Sequence, residues 1–143
     1  MIRILIAAII GFVVWTILLL GSDAVWLALS PDWFGKHQTE LQAAINNKTP
    51  FMADSTVLLI AVIRSAILSI IAGFVTAVIA KENFISPILL GILLLAFGIF
   101  IHSLMLNNVP VWYHFGILLP LIPLTILGGQ LKTISPTRPY LTS

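Results

Sequence analysis

In a chain of 143 residues, 59% are hydrophobic and only 8% charged, against about 25% charged in a soluble domain, so a water-exposed surface cannot be assembled and lipid is the expected solvent. The length suits one domain. The absence of cysteine excludes disulfides, thiolate metal sites and thiol nucleophiles while leaving the redox compartment open, and a net charge of +2 carried by scattered residues gives no footprint for nucleic acid.

Four apolar runs stand out, Ile4 to Leu29, Ser55 to Ala80, Ile85 to Leu106 and Val111 to Leu131. Each reaches the ~20 residues that a helix rising about 1.5 Å per residue needs to cross a ~30 Å hydrocarbon core. A barrel strand is about 10 residues of alternating polarity, which none of the runs shows. The expected fold is therefore an all-α, antiparallel four-helix membrane bundle occupying the single domain 1–143. The first run begins after Arg3 in the manner of a signal peptide. Its apolar stretch from Ile4 to Leu20 exceeds the usual h-region of about 7–15 residues, and no small-residue cleavage site follows, so a retained first helix is expected.

Ser30-Pro31-Asp32 reads as a helix start with a serine cap and proline at the first position. Trp33, Phe34, His37, Leu41, Ala44 and Ile45 then recur at helical spacing, with Lys36, Glu40 and Gln42 on other faces. A short amphipathic surface helix is expected over about 31–46, ended by Asn46-Asn47-Lys48-Thr49-Pro50. It is either a connector or a lid over an outward-facing site. The remaining connections, Lys81-Glu82-Asn83 and Asn107 to Pro110, are short, so successive spans are expected to be antiparallel neighbours. The tail from Ser135 to Ser143, with two prolines, is expected to be disordered.

Four spans place Arg3, Lys81, Lys132 and Arg138 on one side; Lys36 and Lys48, in company with Asp32 and Glu40, fall on the other. The positive-inside rule then puts both termini in the cytoplasm, and Trp26, Trp33, Trp112 and Tyr113 form an aromatic belt at the outer ends.

Ionisable residues at membrane depth are the usual signs of function. Asp23 lies roughly 9 Å and Arg64 roughly 14 Å below the outer ends of their spans. An arginine is long enough to close that gap, so the two are expected to pair, as interhelical glue or as part of an ion path, proton relay or anion site. His102 and His114 flank the Asn107–Pro110 turn and should sit at one level in the outer half, where they form either a local hydrogen-bonded pair or part of a metal or pH-sensitive site. Asp23 or His37 could complete a metal set; two imidazoles alone are too few. Ala61, Ser65, Ser69, Gly73 and Ala77 make a seam of small residues at four-residue spacing, suited either to sealing the protomer or to binding a second one. Pro120 and Pro123 should kink the fourth span and free the carbonyls of Gly116 and Leu119.

Pro110-Val111-Trp112-Tyr113-His114, Leu119 to Pro123, Leu127-Gly128-Gly129-Gln130-Leu131-Lys132, Ala72 to Ala77 and Gly11 to Trp15 together resemble a group of small, uncharacterised four-span bacterial inner-membrane proteins. That resemblance implies topology and a bacterial inner membrane, and no reaction, ligand or partner.

No nucleophile elbow, zinc-binding helix motif or phosphate-cradling loop occurs. The first expectation for function is a non-catalytic accessory or interaction subunit that works through helix packing, with the bilayer and a membrane protein or second copy as partners and no cofactor. The alternative is a small oligomeric transporter or channel with an outward-facing polar site around Arg64, which requires a cavity reaching that residue. A membrane-embedded metal-dependent enzyme is the third, and it requires the two histidines within joint reach of one ion.

Overall fold

The computed structural model describes residues 1–134, so Arg138 and the expectation of a disordered tail lie outside the described residues. Over them the chain is all-α: α1 (Ile2–Leu29), a π-helical turn (Pro31–Gly35), α2 (Lys36–Asn47), α3 (Ser55–Ala80), α4 (Ile85–Leu104), α5 (Val111–Leu118) and α6 (Leu121–Ile134). Four helical stretches are long and apolar enough to cross a membrane: α1, α3, α4, and α5 with α6 taken together. Large apolar side chains such as Ile9, Ile17, Ile63, Ile67, Ile92 and Phe100 stand exposed around them. In water such a surface would be an aggregation patch, whereas in lipid it costs nothing.

The fourth span is two helices rather than one. The chain breaks at Leu119-Pro120, and Pro123 falls in the first turn of α6, where a missing N–H is tolerated. The two prolines thus serve a single break. The surface helix appears nearly where expected, with a different start. Ser30 makes no side-chain cap, and the turn instead closes through a wide backbone bond from Gly35 N–H to the Ser30 carbonyl, 3.0 Å. Lys48 ends α2 in the left-handed conformation (φ 54°), and Lys81 ends α3 in the same way (φ 60°).

Successive spans are in contact as expected, α1 with α3, α3 with α4 and α4 with the fourth span, while the most extensive contact joins two spans that are not successive, α3 and α6. Close backbone approach is the cause. A Cβ at Gly73 would fall on the backbone of Thr125, and one at Gly128 on the backbone of Ile70, so α3 and α6 touch main chain to main chain. Gly11 brings α1 against Thr76 of α3 and Leu90 of α4. Of the small-residue seam, Ser65, Ser69, Gly73 and Ala77 are buried inside the protomer and Ala61 is half-buried.

All of these close contacts lie in the half of the bundle nearest the chain termini. At that end Arg3 Nε donates to the Ile79 carbonyl (2.8 Å) and Lys132 Nζ to the Ala77 carbonyl (3.1 Å), two cations on the last carbonyls of α3. Beside them Glu82 accepts from the backbone N–H of Phe84 and Ile85, at 3.0 and 2.8 Å, and so caps α4.

The glycine contacts predict a sharp contrast. Gly73→Ala and Gly128→Ala should each destabilise the bundle by about 3 kcal/mol, the upper range of overpacking, because backbone must move. Gly21→Ala, which meets nothing within 4 Å, should be neutral or slightly stabilising. Thermal unfolding in detergent checks both; equal behaviour of the three variants would show that the close contact is not formed.

Candidate functional site

The opposite half of the bundle is open. A cavity of about 240 Å³ lies among all four spans, between α2 at one end and Trp15, Ser65 and Leu121 at the other. Leu94, Phe97, Ile101, Ile117 and Met105 make most of its wall. The polar groups that interrupt this wall are Asp23, Arg64, His37, Gln38, His102 and Tyr113.

Asp23 of α1 and Arg64 of α3 meet as expected: Arg64 Nη1 stands 2.5 Å from Asp23 Oδ1. The contact is close but poorly aligned. Neither atom completes a hydrogen bond there, and Arg64 Nε finds no acceptor among the described residues. The pair is therefore held by charge, with N–H groups left over. The Arg64 side chain is 14% exposed and that of Asp23 32%, so the site is reachable from outside the protein. Phe34, fully buried on the π-helical turn, sets its ring 5.9 Å from the guanidinium carbon, within cation–π range.

His102 and His114 are also brought together. Their Nδ1 atoms are 2.6 Å apart and form one hydrogen bond, with the donor fixed by tautomer. Tyr113 stacks on His102 at 5.4 Å between ring centres. His102 faces the cavity, whereas His114 does not line it, and its Nε2 has no partner among the described residues. Among those residues no group of three or more His, Asp or Glu side chains gathers to hold a metal ion. His37 and Asp23 line the same cavity without joining the pair in such a group.

The roof is anchored at one residue. Asp54 caps α3 by accepting from Thr56 N–H at 2.8 Å. Its other oxygen accepts from the Trp33 indole at 2.9 Å, and its own N–H donates to His37 Nε2 at 3.0 Å. The indole and the Thr56 N–H hold the Asp54 carboxyl below its ordinary value. Burial pushes the His37 imidazole below its ordinary value, against the opposing pull of Asp54 and Glu40.

Under the cavity, Trp15 Nε1 donates to Ser69 Oγ at 3.3 Å, and Ser69 donates to the Ser65 carbonyl at 2.7 Å. Reasoning from sequence missed Trp15, Ser65 and Tyr113 as cavity residues. Tyr113 carried only a belt signature, and Ser65 only its place in the seam. His37 could have been found, since it shares the apolar face of α2 with Leu41, and that face points at the cavity.

Comparison of the chain with protein-family models, with curated proteins and with solved structures returns no match.

The roof should respond to acid. A histidine held neutral by the fold favours folding fully above its unfolded value of about 6.5, and that stability is lost as pH falls through the lower folded value. Amide exchange at Asp54 and Leu41, corrected for intrinsic rate, should accelerate between pH 7 and pH 5. In His37→Phe the corrected rates should not change with pH; a persisting acceleration would place the titrating group elsewhere.

Proposed function

We propose that the protein is an integral, multi-pass protein of the bacterial inner membrane that binds a small amphipathic solute in the cavity at Arg64, as a small transporter does. Both termini face the cytoplasm in this reading. The gathering of Arg3, Lys81 and Lys132 at one end of the bundle supports that orientation, and the bacterial inner membrane rests on the resemblance drawn from the sequence motifs.

One observation carries the functional reading: a cavity shared by all four spans is lined by a guanidinium whose Nε has no hydrogen-bond acceptor among the described residues. A buried cation with spare donors is costly unless something satisfies them. The apolar wall suits the body of a solute and the polar groups suit its head, which is the usual make-up of a binding pocket. At about 240 Å³ the space lies near the small end of such pockets (about 300–1,000 Å³), so the solute is small. The reading as an accessory subunit rested on the small-residue seam and on the absence of a catalytic motif; the buried members of that seam are engaged inside the protomer.

Benzyl alcohol is a suitable neutral probe of the cavity. A solute that binds only the folded state raises stability by about 2.7 kcal/mol at a hundred times its dissociation constant, and benzyl alcohol should do so for the detergent-solubilised protein. Ala61→Trp places an indole in the cavity and should abolish the effect. If the variant is stabilised as much as the native chain, the solute binds elsewhere and the cavity is not the site.

A further inference from the structure

The ion pair carries the argument one step further, to the charge of the solute and to what travels with it. This step rests on the cavity being the binding site. Arg64 lines the cavity and its Nε has no acceptor among the described residues, but the charge that balances it is already present in Asp23. A neutral solute leaves that balance alone and satisfies the spare N–H groups only weakly. A cationic solute is repelled by Arg64. An anionic solute gains both the charge and the N–H donors of the guanidinium, in charge-assisted hydrogen bonds stronger than neutral ones. It then competes with Asp23 for the same cation.

Two anions beside one cation at this depth would leave a net negative charge in an apolar cavity, which is strongly unfavourable. The balance is restored if Asp23 takes a proton as the anion binds. Before binding, Arg64 is paired with the Asp23 carboxylate; afterwards, Arg64 is paired with the solute anion and Asp23 is a neutral acid. One anion and one proton enter together, the proton comes from bulk water, and the charge of the site is unchanged. Asp23 is suited to this exchange. It contacts Arg64 through one misaligned oxygen, and its side chain is 32% exposed, more than that of Arg64.

We infer that the ligand is a small organic monoanion, one carboxylate-like group on an apolar body, and that it binds Arg64 together with a proton taken up by Asp23. The cavity is too small for a whole lipid, and its apolar wall would gain nothing from a bare inorganic anion. Other groups that titrate or carry charge around Asp23 are Arg64 on α3, His37 on α2, His102 on α4 and Tyr113 on α5. The two histidines are the rival proton acceptors.

Calorimetry of benzoate binding to the detergent-solubilised full chain decides the matter, run in two buffers of different ionisation enthalpy. The expected result is uptake of about one proton per benzoate and an affinity that falls about tenfold per pH unit on the alkaline side. Arg64→Gln should lose benzoate while keeping benzyl alcohol. Asp23→Asn should bind benzoate with no proton uptake and no dependence on pH. Should that variant not fold, uptake that persists in both His37→Phe and His102→Phe still assigns the proton to Asp23, and uptake lost in either overturns the assignment. Three results overturn the inference: benzoate bound without a proton, uptake that persists in Asp23→Asn and so belongs to a histidine, or inorganic phosphate bound as tightly as benzoate. Benzyl alcohol bound in an Ala61-dependent way while benzoate is refused would also sink the inference and leave the cavity reading standing. Failure of both probes would remove the cavity reading itself.

Discussion

Everything in this bundle follows from where helix backbones can touch. Gly73 against Thr125 and Gly128 against Ile70 bring α3 and α6 together main chain to main chain, and Gly11 lets the backbone of α1 close on the side chain of Thr76. All three contacts lie toward the chain termini. Beyond them α3 continues with Leu58, Ala61 and Arg64, and α4 with Leu94, Phe97 and Ile101, opposite a fourth span already broken at Pro120. Helices pinned at one end and bulky at the other must separate toward the second end. The cavity is thus a consequence of packing geometry rather than a defect in it. A lipid environment permits this, because little hydrophobic force drives the open ends back together.

The position of Arg64 gains meaning from that geometry. In the closed half of the bundle a guanidinium would meet no space and no partner. At the floor of the open half it has Asp23 on the neighbouring helix and Phe34 beside it. A charge at the bilayer centre costs at least about 2.5–3.5 kcal/mol, and one carboxylate in misaligned contact offsets only part of that. The pair is therefore adequate for folding yet incompletely satisfied. A structural salt bridge would be expected to engage more of the guanidinium fork. The exposure of Asp23, the unmatched Nε of Arg64 and the apolar wall all follow from placing the ion pair at the boundary of a cavity instead of in a packed seam.

The architecture was legible because it depends on composition and length. Four runs of about twenty apolar residues admit few folds, and the depths of Asp23 and Arg64 follow from counting rises along a helix. The same counting put His102 and His114 at one level. What stayed hidden depended on rotation about the helix axis and on the order of helices around the bundle. The spacing of Ser65, Ser69, Gly73 and Ala77 announced a close contact, yet no feature of α3 alone says which helix makes it. The partner positions, Thr125 and Gly128, lie beyond a proline break that shifts the helical phase. Tyr113 shows the same limit: an aromatic residue near a span end suits a membrane interface and a cavity wall equally well, and only its stacking on His102 separates the two.

The π-helical turn ties the roof to the ion pair. Its wide turn from Ser30 to Gly35 presents consecutive residues on different sides: Trp33 toward Asp54, and Phe34 toward Arg64 and Trp26. His37 follows one turn later and accepts from the Asp54 N–H. The segment that covers the cavity is thus fastened at the cap of α3 and packed against the guanidinium nearly three helical turns further along the same helix. A regular α-helical start at Ser30 would have rotated these side chains relative to one another, so that Trp33 and Phe34 could not both reach their partners. Irregular turns of this kind often occur at functional sites, and here the reason is local: one short stretch of chain must hold the roof and flank the cation at the same time.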